Sequence, residues 1–260
     1  MITARKNRML NLLIYRGLMQ SALRGRFDRV NARWSAGGSV PGVDALPGRD
    51  IPLILCANHS AWWDGHLVMA LNEMLLKRDA FLMMEETQLA RYPFFRAAGA
   101  FSVNRTSARS AAESVAYATQ VLCAADNRLL AIFPQGEILA NDVRPLRVES
   151  GVGHIARAVV RRSGVCAIVP VALCYEFIGE QAPEAFISVG APLVLRGDLR
   201  PKDVSAQIAA GLTRELDGLR DDVTHYRLAS FTLLMRGAPG VNRVFDRLFG
   251  RALVGDVGRR

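Results

Sequence analysis

Apolar residues along this chain fall into short unbroken runs, separated by stretches whose apolar positions repeat with helical spacing. The runs occupy residues 51–57, 81–84, 129–133, 165–173 and 186–189. A continuous run of this length suits a strand buried on both faces, as in a parallel sheet covered by helices. Helical spacing marks residues 65–77, 106–125, 152–162 and 204–219. In the last of these, Val204, Ile208, Leu212, Leu216 and Leu219 share one stripe. Strands alternating with helices predict an α/β fold, with a mostly parallel central sheet flanked by helices. Pro170 falls inside one run, which predicts a bulge or a sheet edge there, because proline cannot donate to a ladder.

The two ends read differently. Residues 5–35 predict one or two basic amphipathic helices, with Leu10, Leu13, Ile14 and Leu18 at helical spacing. Arg5, Lys6, Arg8, Arg16, Arg24, Arg26, Arg29 and Arg33 are opposed there only by Asp28. Such a segment can lay apolar side chains among lipid tails while its cations meet headgroup phosphates, or it can dock on the domain with a solvated basic face. A loop rich in glycine and proline follows at 35–50, and a second basic apolar stretch spans 231–251. The expected division is therefore a helical segment at 1–35, one domain at 36–225 and an extension at 226–260. No run reaches the roughly 18 apolar residues of a spanning helix, and the start lacks the pattern of a cleaved signal. The expectation is a protein lying peripherally on the cytoplasmic face of a membrane.

Composition narrows the partners. The formal charge of +9 favours a phosphate-bearing surface, whether nucleic acid or anionic lipid. Aromatics are scarce and are not interleaved with the basic runs as base-stacking platforms require, and no DNA- or RNA-binding motif occurs. The expected surface is anionic lipid, with no nucleic acid. Cys56, Cys123, Cys166 and Cys174 form no C-x-x-C pair, so they are expected to be reduced, mostly buried and free of metal.

Candidate chemistry gathers where the apolar runs end. Residues 58–64 hold Asn58, His59 and Asp64 at the passage from strand to helix, a common site position in an α/β sheet. A tight turn can let Asp64 accept from one imidazole nitrogen and leave the other to take a proton from an alcohol. An ordinary structural histidine beside a helix-capping aspartate has the same spacing. Residues 99–105 run from Gly99 through a short strand to Arg105, whose planar fork of donors suits phosphate or carboxylate. Residues 133–137 place Phe133, Pro134, Gln135, Gly136 and Glu137 in a turn after another strand. The stretch 169–173 around Pro170 is the fourth feature.

Taken in order, these features resemble the glycerolipid acyltransferase superfamily, typified by lysophosphatidic acid acyltransferases. Its patterns are N-H-x4-D, G-x-I-F-I-x-R, F-P-E-G-T-R and V-P-V, matched here at 58–64, 99–105, 133–137 and 169–173. The resemblance covers roughly residues 50–200. It implies transfer of a fatty acyl group from acyl-CoA or acyl carrier protein to a lysophosphatidic-acid-like hydroxyl. His59 would be the general base and Asp64 its partner. Arg105, Gln135, Gly136 and Glu137 would bind the acceptor; Asn58, Gly99, Phe133, Pro134 and Pro170 would support the pocket. Thiolate leaves readily, so no metal, cofactor or covalent enzyme intermediate is implied, and no G-x-S-x-G elbow occurs.

The departures bear on the acceptor. Gln135 stands where the family has glutamate, and Glu137 and Ile138 where it has threonine and arginine. Residues 82–86 include Glu85 and Glu86 but lack the lysine that many phosphate-acceptor members carry. Fewer cations weaken a site for a phosphomonoester, although Arg144 and Arg147 lie downstream. Another lysophospholipid, a glycolipid or a hydroxylated terpenoid is the alternative acceptor. A metal-dependent hydrolase built on His59, Asp64 and His66, with His154 or His225, is a more distant alternative, as is a lipid-binding relative without catalysis.

Overall fold

The computed structural model describes residues 1–35, 46–105, 107–240 and 244. Most of the expected glycine- and proline-rich loop, Thr106 and most of the basic apolar tail lie outside the described residues.

Among the described residues nine strands form one sheet, in the order β4-β3-β5-β2-β6-β7-β1-β9, with β8 also pairing β6. They are β1 (Arg29–Trp34), β2 (Leu53–Ala57), β3 (Asp79–Glu85), β4 (Ala100–Val103), β5 (Arg128–Ile132), β6 (Cys166–Glu176), β7 (Glu184–Val189), β8 (Leu193–Leu195) and β9 (Thr232–Arg236). The run β4-β3-β5-β2-β6 is parallel throughout. Antiparallel pairs enter where β7 and β8 meet β6 and where β9 meets β1. All five residues of β2 are buried, as its unbroken apolar sequence requires.

Helices cover both faces. On one face lie α1 (Arg8–Leu13), a π-helical segment (Ile14–Met19), α2 (Gln20–Arg26) and α3 (Asp64–Leu71). The opposite face packs under α5 (Ala108–Leu122), α6 (Gly151–Ser163) and α7 (Pro201–Thr224). The short α4 (Glu86–Arg91) follows β3. Alternate strand residues divide between the two layers: Leu53, Leu55 and Ala57 face the first, Ile54 and Cys56 the second. The stripe from Val204 to Leu219 on α7 is buried as its spacing predicts.

Two expectations need correction. Residues 29–34 are not helix: they form β1, parallel to β7, and Val30, Ala32 and Trp34 alternate into the core. Arg33 is consequently buried, donating to Ser188 at 3.1 Å and pairing with Asp222, and is not part of a basic outer face. Pro170 lies on neither an edge nor a bulge but in β6, paired in parallel register with Cys56 of β2. On its other side β6 pairs β8 through Ile168 and β7 from Val171 onward, so Pro170 sits at the change of partner. Its carbonyl accepts from Gly190 at 2.8 Å, and its absent N–H faces the gap between the two partners.

The N-terminal helix is apolar on two sides. Ile14, Tyr15, Met19 and Leu23 pack into the core, while Met9 and Leu13 are 78% and 65% exposed, with Leu10, Leu12 and Leu18 also open. Ile14 therefore belongs to the docked face, not to the outer stripe with Leu10, Leu13 and Leu18.

Candidate active site

The site forms at the carboxyl ends of the parallel strands, where successive loops leave the sheet. Strand β2 delivers residues 58–64, β4 delivers Arg105 and β5 delivers the turn beginning at Phe133. Strand β6 continues past β2: Ala57 pairs with Val171, so Leu173 and Tyr175 run alongside the loop holding His59.

That loop wraps around one carboxylate. Asp64, the first residue of α3, is fully buried. Its Oδ2 accepts from His59 Nδ1 at 2.8 Å and from the N–H groups of Ser60 and Ala61 at 2.6 and 2.8 Å. Its Oδ1 accepts from the Tyr175 hydroxyl. A helix N-terminus and four donors together stabilise the negative charge away from water. Because a carboxylate only accepts, the neutral imidazole carries its hydrogen on Nδ1 and leaves a lone pair on Nε2. The His59 side chain is 22% exposed, so a substrate can reach the ring.

The turn after β5 clamps His59 from three sides. Phe133 stacks on the imidazole with centroids 4.3 Å apart and planes 21° apart. Gln135, which is buried, accepts the His59 N–H on Oε1 at 2.7 Å. The Leu139 N–H donates to the His59 carbonyl at 2.9 Å. Asn58 secures the loop to β6, donating to the Leu173 carbonyl at 3.0 Å and accepting its N–H at 2.7 Å. Asn58 also donates to Asn141 at 2.8 Å. Pro134 is buried, and its carbonyl accepts from Glu149 at 2.8 Å.

Arg105 reaches the same turn, donating to the Gly136 carbonyl at 2.9 Å. Gly136 has φ of +76°, and a Cβ there would lie 2.3 Å from Arg105 Nη1, so glycine serves both the turn and the guanidinium. Glu137 follows, exposed to solvent. Just after β3, at the start of α4, comes an acid instead of a cation: Glu86 accepts from Asn104 at 2.7 Å and Ser102 at 3.1 Å. The Asn104 bond leads the effects that hold the Glu86 carboxyl below its ordinary range.

Several expected residues take other roles. Gln135 turns its oxygen to the His59 backbone and so positions the loop, where the resemblance implied acceptor contact. Gly99 lies at the amino end of β4, the length of that strand away from Arg105. A Cβ on Gly99 would sit 2.8 Å from the Ala80 carbonyl, so it serves close packing at the opposite end of the sheet and not the pocket. Pro170 packs against Gly211 of α7 and supports the sheet beneath the site. Arg144 is engaged by Asp217 and by the carbonyls of Asn141 and Val143, while Arg147 is exposed.

His66 is drawn into an aromatic cluster with Trp62, Trp63 and Phe95, at centroid distances of 4.6, 5.4 and 6.3 Å. Burial pushes its imidazole down to about 4. Among the described residues, no three His, Cys, Asp or Glu side chains converge as a set able to hold a metal ion. Sequence reasoning missed Tyr175, Leu139 and Asn141. Tyr175 had a signal: it continues the same-face alternation Val169, Val171, Leu173 just beyond the fourth motif.

Comparison with known proteins gives the family and a similar fold. A family model described as Acyltransferase matches residues 40–174, just over half of the chain. No curated protein matches. The crystal structure of the 1-acyl-sn-glycerophosphate (LPA) acyltransferase PlsC from Thermotoga maritima is similar in fold, with a TM-score of 0.50 and 13% identity. The similarity covers 83% of this chain and 84% of that one. The family match takes in His59, Asp64, Arg105 and the Phe133 turn, and on that match this chain belongs to the acyltransferase family.

Proposed function

We propose that this acyltransferase moves a fatty acyl group from acyl-CoA or acyl carrier protein to the hydroxyl of a lysophosphatidic-acid-like glycerolipid. The observation that carries the reading is the His59–Asp64 pair, 2.8 Å apart, with the carboxylate buried and the imidazole partly exposed. Nε2 accepts the hydroxyl proton as the alcohol oxygen bonds to the thioester carbonyl carbon. The tetrahedral intermediate then expels the thiolate, which takes that proton from the imidazolium. Asp64 holds the ring and stabilises its charge throughout. Arg105, beside the Phe133 turn, is the cation available to an acceptor phosphate.

Exposed Met9, Leu12, Leu13 and Leu18, with Arg5 and Arg16 beside them in sequence, support a peripheral membrane face on the N-terminal helix. No helix among the described residues is long and apolar enough to cross a membrane. The cysteines are free, which suits the cytoplasmic face.

A second acceptor class is favoured by the motif departures. With Gln135 turned to the backbone, Arg144 engaged by Asp217 and Glu86 just after β3, fewer cations join Arg105 than the family pattern implies. A lipid alcohol without a phosphomonoester fits that balance. Labelled acyl thioesters offered with a panel of lipid alcohols, and products read by mass, test both. Transfer to lysophosphatidic acid supports the first acceptor, and transfer only to uncharged or diester lipids supports the second. His59→Ala should abolish transfer with the fold retained; turnover in that variant would remove His59 as the base.

A further inference from the structure

Asp64 has more partners than a two-residue dyad accounts for. Its Oδ1, on the side away from His59, accepts from the hydroxyl of Tyr175, a residue outside all four motifs. Burial, and after it the negative charge of Asp64, raises that phenol far above its ordinary range, so the hydroxyl keeps its proton and donates. The ring is also braced. Phe27 stacks on it with centroids 5.6 Å apart and planes 22° apart, and meets Trp63 edge-on at 5.7 Å. Phe27 caps α2, its N–H donating to the Leu23 carbonyl at 2.9 Å. A continuous set of contacts thus runs from the N-terminal helix through Phe27 and Tyr175 to Asp64 and His59.

We propose that Tyr175 is a positioning residue for acyl transfer, fixing Asp64 against His59 and tying that pair to the end of the N-terminal helix. This rests on the reading of His59 as general base. The oxygen that meets His59 also accepts two backbone N–H groups, and among the described residues it is the Tyr175 hydroxyl that sets where the other oxygen lies. Without it Oδ1 is buried with one donor fewer, and the carboxylate can rotate about its own axis. Imidazole orientation then loosens while substrate contacts stay as they were.

Tyr175→Phe removes the hydroxyl and keeps the stacked ring, so the fold is retained. Its kcat should fall about ten- to hundredfold, the range of one hydrogen bond to a charged group, with KM for donor and acceptor within about twofold. A carboxylate that has lost a donor attracts an imidazolium more strongly, so the acid limb of the kcat/KM profile should move to higher pH. The downfield proton resonance of the His59 Nδ1–H, identified by its loss in His59→Ala, should shift in Tyr175→Phe. Wild-type kcat, pH profile and resonance in that variant would overturn the inference, while His59-dependent transfer would leave the acyltransfer reading standing. A shifted resonance in a protein that acylates none of the lipid alcohols would keep the Tyr175–Asp64–His59 geometry and overturn its assignment to acyl transfer.

Discussion

Gln135 Oε1 accepts the backbone N–H of His59 at 2.7 Å, joining the loop after β5 to the proposed general base. The side chain that departs from the family pattern therefore braces the His59 loop here. A neutral amide meets one backbone donor and places no charge beside the imidazole. Glutamate could accept the same hydrogen, so the substitution changes local charge without dissolving the clamp.

Gln135→Leu should remove the acceptor and leave the His59 N–H without its partner. The cost is about 1–3 kcal/mol of stability, and kcat should drop with it. Gln135→Glu should retain both fold and turnover. Thermal unfolding and steady-state kinetics of the two variants check this, and equal losses in both would contradict the clamp.

Gly136→Ala should displace Arg105. Its left-handed φ of +76° adds strain of roughly 1 kcal/mol to the turn, and the new Cβ would lie 2.3 Å from Nη1. For a phosphate-bearing acceptor KM should rise several-fold with little change in kcat. For an acceptor without phosphate KM should stay, so the same variant reports which acceptor class uses Arg105.

Stability should fall in mild acid through His66. Its folded value of about 4 lies below the ordinary 6.5, so the unfolded chain binds the proton more readily. Stabilisation is complete above about pH 6.5 and is lost as pH falls toward 4, by about 3 kcal/mol at most. His66→Phe should flatten denaturant midpoints across that window. An unchanged slope would show that His66 is not the group responsible.

Met9→Glu combined with Leu13→Glu should weaken binding to anionic vesicles at least tenfold while leaving thermal stability nearly unchanged. Both side chains are exposed, at 78% and 65%, so neither is needed by the core. Co-sedimentation at low and high salt separates the apolar contribution from that of the nearby arginines. Binding equal to wild type would rule out this face as the membrane contact.

How much was legible in the sequence follows from what each pattern encodes. Buried strands must be apolar throughout, and helices on a sheet must carry one apolar stripe. The parallel core and the stripe from Val204 to Leu219 were therefore readable directly. Motif order predicted that His59, Asp64 and Arg105 lie at one end of the sheet, where the structure places them, because strand-to-helix loops at the carboxyl end of a parallel sheet converge whatever lies between them. Charge spacing misled at residues 29–34: Arg29 and Arg33 sit four apart as on a helix, but Arg33 is neutralised by Asp222, almost two hundred residues away. Such long-range pairing leaves no local trace. For the same reason only the tertiary structure decided that Gly99 lies at the far end of β4, that Gln135 faces the backbone, and that Tyr175 completes the surroundings of Asp64. Local sequence determines which elements form and where their polar breaks fall; which side chain meets which across the sheet is set by register and by the length of β6 beyond β2.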